Sequence, residues 1–294
     1  MNILIWSPHL IFISIWAIVM GVLWLFRFMK RGRRTPLTRQ LLRMPGETLK
    51  RRIDDLDEKL YSYLFYIMTL PIMLYAIFLA ASQSGKSSGL IILLCIAILV
   101  SELFFIYKMW KMLKERINLR LALDCELAVG QELNHLMLEG CRVYHDFPAD
   151  KFNIDHVVVS PNGVFAVETK GRAKPDKGGG KEEATVTYDG EKLNFPGWSE
   201  KDPLDQAKRQ AVWLSKWLTS AVGEQVSVQP VLALPGWFID RKKPSRDLII
   251  FNGKNPDLLL KWMTSTPLSE TLIQRVVHQV EQRCRDVEPI AYQT

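Results

Sequence analysis

Asn153-Ile154-Asp155-His156-Val157-Val158-Val159-Ser160-Pro161-Asn162-Gly163-Val164-Phe165-Ala166-Val167-Glu168-Thr169-Lys170 reads as two apolar strands joined at Pro161-Asn162. Side chains two apart on a strand share a face, so Glu168 and Lys170 emerge together beside Ala166. Asp155 joins them only in certain registers. If Ser160 pairs with Gly163, or Val159 with Val164, then Asp155 stands opposite Glu168 on the same face; a three-residue loop separates them.

Outward from this hairpin, the preceding chain is of a different character. Residues 2–26, 61–82 and 89–107 are three apolar stretches of about the 20 residues that cross a bilayer. No basic segment precedes the first, and Arg27 to Arg34 follows it directly, the pattern of an anchor and not of a cleaved signal. The loop 27–60 holds eleven Lys and Arg residues, whereas the connection 83–88 holds only Lys86. The excess of positive charge places that loop in the cytoplasm. Lys108, Lys111, Lys114, Arg116 and Arg120 after the third span put the rest of the chain on the same side, with the N-terminus outside. The expectation is a multi-pass cell-membrane protein with a cytoplasmic domain.

The net charge of +7 reports mainly this topology: residues 1–125 carry +9 and residues 126–294 carry −2. A local basic run, Lys170, Arg172, Lys174, Lys177 and Lys181, could nevertheless meet phosphates. Cys95, Cys125, Cys141 and Cys284 show no C-x-x-C spacing, which argues against a zinc cage or a disulfide framework. His135, His145 and His156 show no metal-like clustering.

Helical spacing from Lys108 to about Glu139, stopped by Gly140, predicts a helix leading into the soluble part. Strands are predicted over 142–147 and along the hairpin, then a two-residue hairpin at Asp189-Gly190 between 184–188 and 192–195. An amphipathic helix over 204–218, strands near 226–234 and 247–251, and helices near 256–263 and 268–283 complete an α/β pattern. Gln206 and Gln210 share one face of the amphipathic helix, and Trp213 and Trp217 another, the latter read as core and not as a base-stacking surface.

Two carboxylates and a lysine on adjacent strands suit metal-assisted phosphodiester hydrolysis, which needs an activated water and relief of charge at phosphorus. Asp155 and Glu168 are the expected ligands of Mg²⁺ or Mn²⁺, which favour hard oxygen donors, and Lys170 the group that orients water or stabilises phosphoryl charge.

Gly130-Gln131-Glu132, the strands containing Asp155 and Glu168-Thr169-Lys170, and Asp205-Gln206-Ala207 together resemble the nuclease-related domain NERD, within the PD-(D/E)xK nuclease-like superfamily. The resemblance implies a restriction-endonuclease-like mixed sheet flanked by helices, here preceded by a three-helix transmembrane region. By that likeness Glu132, Asp155, Glu168 and Lys170 form the active-site set, with Gln206 as an accessory. The expected division is a membrane region 1–107, a linker helix 108–125, the nuclease-like domain 126–240, and a strand and helices over 241–294 that complete the soluble part. The function expected is a membrane-anchored, divalent-metal-dependent nuclease acting on the cytoplasmic side, with DNA as the first expected substrate and RNA as the second. The alternatives are a non-catalytic nucleic-acid-binding or protein-interaction module, and a membrane scaffold.

Overall fold

The computed structural model describes residues 14, 17–22, 24–25, 28, 36–83, 88–175, 180–243, 247–261 and 267–289. Most of the first expected span, and Lys86, Lys177 and Gly178-Gly179, lie outside the described residues. The chain forms two compact units, one made of Met1–Leu42 with Arg285–Thr294, the other of Arg43–Cys284. In the first unit Leu41 and Val287 exchange backbone hydrogen bonds as an antiparallel bridge.

The second unit opens with two long helices, α1 (Glu47–Gln83) and α2 (Ser88–Asn134). Among the described residues these two are long and apolar enough to cross a membrane, and their most apolar windows bury nothing against the protein. Below those windows the helices pack through Ile53, Leu56, Leu119 and Leu123. Sequence spacing suggests a third span followed by a linker helix; the structure joins them in one helix, since no proline or glycine interrupts residues 90–129. A 3-10 turn, His135–Glu139, ends at Gly140 in the left-handed conformation, the expected stop.

Five strands then build the main sheet in the order β1-β2-β3-β7-β9: β1 (Arg142–Pro148), β2 (Asn153–Ser160), β3 (Gly163–Thr169), β7 (Val228–Ala233) and β9 (Ile249–Phe251). The first three are antiparallel and the last two join in parallel. A smaller sheet, β6-β5-β4-β8, comprises β4 (Thr185–Tyr188), β5 (Leu193–Phe195), β6 (Trp198–Glu200) and β8 (Phe238–Arg241). Its first hairpin closes with Tyr188 opposite Leu193, so the loop has four residues and not two. The Asp189 carboxylate explains this, accepting the amides of Glu191 and Lys192 and holding a wider turn. Strands β6 and β8 are too short to leave an alternating signature.

Helices α3 (Asp202–Val222) and α5 (Glu270–Cys284) cover one face of the main sheet, burying Tyr144, Val157, Ala166, Leu214 and Val276 among others. The end of α2 covers the opposite face with Val129 and Leu133, near the short α4 (Asp257–Lys261). The mixed sheets flanked by helices are compatible with a nuclease-like fold. Trp213 and Trp217 pack on Phe147 with the Arg283 guanidinium over them, a partly buried core position as the sequence suggests.

Candidate active site

Ser160 pairs with Gly163, Val159 with Val164 and His156 with Val167, so the next pair along the ladder sets Asp155 opposite Glu168. That is the register which unites the two carboxylates on one face. The face is the one covered by α3, because Val157, Val159, Val164 and Ala166 pack there and period-two alternation carries Asp155 and Glu168 to the same side.

Glu168 is only 2% exposed. Lys170 Nζ stands 2.5 Å from its Oε1, and Gln210 Nε2 donates to its Oε2 at 2.6 Å. The Gln210 amide also donates to the Asn153 carbonyl at 3.2 Å, tying α3 to both strands. Thr169 N–H donates to Asp155 Oδ2 at 2.6 Å, and Lys170 N–H donates to the Ala233 carbonyl, continuing the ladder with β7 one residue past β3. Both oxygens of Glu168 and one of Asp155 are therefore held by named donors.

Asp155, Glu168, Thr169 and Lys170 line a cavity of about 730 Å³ with Gln206, Glu126, Asp146, Thr48 and Arg52. Glu132, the helix carboxylate expected from the sequence, does not line it. Glu126 does, six residues earlier on α2 and on a different helical face. Burial, then the charges of Asp146 and Glu168, push the Glu126 carboxyl up to about 8, with Lys170 pulling it down. Asp155 is raised well above the usual carboxylate range by its enclosure and by Glu168 and Glu126, against the Thr169 amide and Lys170. Three acids thus crowd around one ammonium.

Two glycines allow this approach. A Cβ at Gly171 would fall 2.9 Å from Cys125 Sγ and 3.2 Å from the Leu121 carbonyl, so the chain leaving β3 presses directly on α2. One at Gly130 would meet Pro45 and the His156 ring. Asp146, at positive φ on β1, accepts from Thr48 N–H at 2.9 Å, Thr48 Oγ1–H at 2.7 Å, Asn153 Nδ2 at 3.0 Å and Arg43 Nη1 at 2.9 Å. It caps the start of α1 and fixes it beside the cavity. Despite these donors, burial leaves the Asp146 carboxyl raised.

Behind the site lie His145 and His156, with their Nδ1 atoms 2.9 Å apart. His145 Nε2 meets Asn134 Oδ1 at 3.0 Å. Nε2–H donation to that carbonyl leaves His145 Nδ1 bare, so His156 Nδ1–H is the donor between the rings. Burial lowers His145 to about 4, and His156 falls well below the ordinary histidine range through burial and its neighbour. Both are neutral structural groups near pH 7.

Residues 122–235 match the family model of NERD, the nuclease-related domain. No curated protein and no solved structure matches the chain. The NERD match spans the last part of α2, β1 to β7 and α3, and so includes Glu126, Asp155, Glu168, Lys170, Gln206 and Gln210. Sequence reasoning did not single out Glu126 and placed Gln210 only on a helix face shared with Gln206. A glutamate four residues before Gly130, on the helix closing over the strands, is a signal only once the helix phase is known.

Proposed function

We propose that the chain is a membrane-anchored nuclease that hydrolyses phosphodiester bonds with the help of a divalent cation. The observation that carries this reading is the meeting of Asp155, Glu168 and Glu126 with Lys170 in one cavity of a domain that matches NERD.

The donor set suits Mg²⁺ or Mn²⁺. Among the described residues no three His, Cys, Asp or Glu side chains are grouped so as to hold a metal ion. Mg²⁺ rarely needs three, since it keeps several waters and takes one or two carboxylates. The proton affinities of Glu126 and Asp155 are raised first by burial and then by the neighbouring carboxylates, and a bound cation would offset both effects. Asp155 and Glu168 would hold the ion, whose chemistry is to lower the pKa of a bound water and neutralise charge on the phosphoryl oxygens.

The protein's own groups do the rest. Hydrolysis adds a water oxygen to phosphorus and breaks one P–O ester bond. Lys170, 2.5 Å from Glu168, presents an ammonium where negative charge grows on the phosphoryl group. Gln210 and the Thr169 amide fix the carboxylate orientations, so no reorganisation is needed as charge develops. Gln206 lines the same cavity and can contact the incoming phosphate or water.

The two long apolar helices, with the apolar stretch 2–26 ahead of them as a further crossing, are the membrane anchor in this reading, with the basic residues on the cytoplasmic side and the N-terminus outside. From Tyr107 to Glu126 the helix α2 is continuous, about 28 Å at 1.5 Å per residue, so the site would stand at a set distance from the bilayer.

The test is cleavage of labelled single- and double-stranded DNA and RNA by full-length protein in detergent, with Mg²⁺, Mn²⁺ or EDTA. Metal-dependent cutting that falls by at least about 100-fold in folded Asp155→Asn and Glu168→Gln is the expected result. Salt-sensitive binding with no cutting under any condition would replace the nuclease by a binding module.

A further inference from the structure

We propose that the site takes an unpaired polynucleotide strand, and that Trp198 stacks on the base next to the nucleotide in the cavity while Arg172 and Lys174 meet the backbone phosphates. This rests on the nuclease reading and names the form of its substrate.

Glu168 is enclosed at 2% exposure within a cavity of about 730 Å³, the size of a small-molecule pocket. A phosphodiester must enter that space to reach the acids. A single strand brings unpaired bases as well as phosphates to the wall of that space, whereas a duplex keeps its bases stacked and paired inside.

The chain leaves the cavity along Lys170, Gly171, Arg172 and Lys174, and a connected surface lies beside it. Arg172 lines the cavity and is held by Glu200 through two bonds of 2.8 Å. Trp237 Nε1–H donates to the Arg172 carbonyl at 3.2 Å, and Lys174 Nζ sits 6.0 Å over the Trp237 ring. Trp198, two residues before Glu200 on the edge strand β6, packs edge-on to Trp237 and lies parallel on Phe195 with centroids 4.7 Å apart. Trp237 and Phe195 are buried, but Trp198 remains 38% exposed.

An indole braced by Phe195 and Trp237 is a rigid, preformed plane. Arg172 and Lys174 both meet Trp237, the ring that braces Trp198, and the Glu200 carboxylate two residues from Trp198 is paired with Arg172. That combination of a π-surface with flanking cations complements bases and phosphates together. Neither DNA nor RNA is preferred by it, because every base has a face to stack.

Binding of short labelled DNA and RNA strands, and of the matching duplexes, is measured by anisotropy for full-length protein in detergent with EDTA over a range of NaCl. Trp198→Ala is expected to weaken strand binding by about 10-fold, the contribution of one stacked base, with duplex binding unchanged and Trp198→Phe largely retaining affinity. Lys174→Gln is expected to flatten the log K against log salt plot by about 0.7. Comparing the DNA and RNA strands identifies the source. Equal strand affinity in Trp198→Ala and wild type, or equal losses for strand and duplex, overturns the proposal. Wild type that cuts only duplex leaves the nuclease standing and this proposal refuted; wild type that neither binds nor cuts any nucleic acid removes both.

Discussion

Gln210 shows how one residue's meaning depends on what it touches. The helical spacing puts it beside Gln206 without saying what it meets, and the structure buries it against Glu168 and Asn153. Gln210→Leu removes a donor from an enclosed carboxylate, which costs about 1–3 kcal/mol. The expected outcome is a lower melting temperature together with roughly 10-fold weaker Mn²⁺ binding by titration, and unchanged metal affinity would show that Gln210 does not position Glu168. His145 supports a second prediction, in acid. Its folded value of about 4 lies below the ordinary 6.5, so the unfolded chain binds the proton more readily between those values. Stability from this group is complete above about pH 6.5 and is lost as pH falls toward 4, by about 3 kcal/mol in all. Thermal melts across that window should fall with pH for wild type and less for His145→Gln. Glu126 runs the opposite way. Held up to about 8, it makes the metal-free fold less stable as pH rises from about 4.5 through 8, and ion binding should tighten over the same interval as the carboxyl gives up its proton.

At the scale of elements, the hairpin was legible because its alternation, its Pro161-Asn162 turn and its buried face admit few registers, and the observed one aligns Asp155 with Glu168. The Asp189 turn was less so: a dipeptide signal implies two loop residues, and a side chain bonding two amides widened it to four. The start of α1 was not legible at all. Its cap, Asp146, comes from β1, 98 residues away from Thr48. Asp146→Ala removes the cap, the Arg43 ion pair and a residue tolerant of positive φ together, and should destabilise the fold by about 2–4 kcal/mol, read as a lower midpoint in denaturant. Thr48→Ala should cost less, about 1 kcal/mol, since the Thr48 amide still donates.

For the whole molecule, α1 and α2 wall the cavity with Thr48, Arg52 and Glu126, so the apolar helices and the region that matches NERD share one site. A fragment starting at residue 108 would keep Glu126 but lose Thr48, Arg43 and the cover over Leu119 and Leu123. Such a fragment should be less soluble, melt lower and cut more slowly than the chain from residue 43 onward in detergent, and equal behaviour of the two would show that α1 is dispensable to the site. The sequence by itself determined the strand hairpin, the shared face of Glu168 and Lys170, the apolar character of both long helices and the resemblance to NERD, while the register that brings Asp155 to that face came from the structure. The first four are local: periodicity, turn chemistry and run length fix which face is buried within one element. The choice of Glu126 over Glu132, the clamp of Gln210 on Glu168 and the fastening of α1 by Asp146 were decided only by tertiary structure. The last two join residues 42 and 98 positions apart, and the phase in which one packed helix meets a sheet is set by the fit of both surfaces, which no local period encodes.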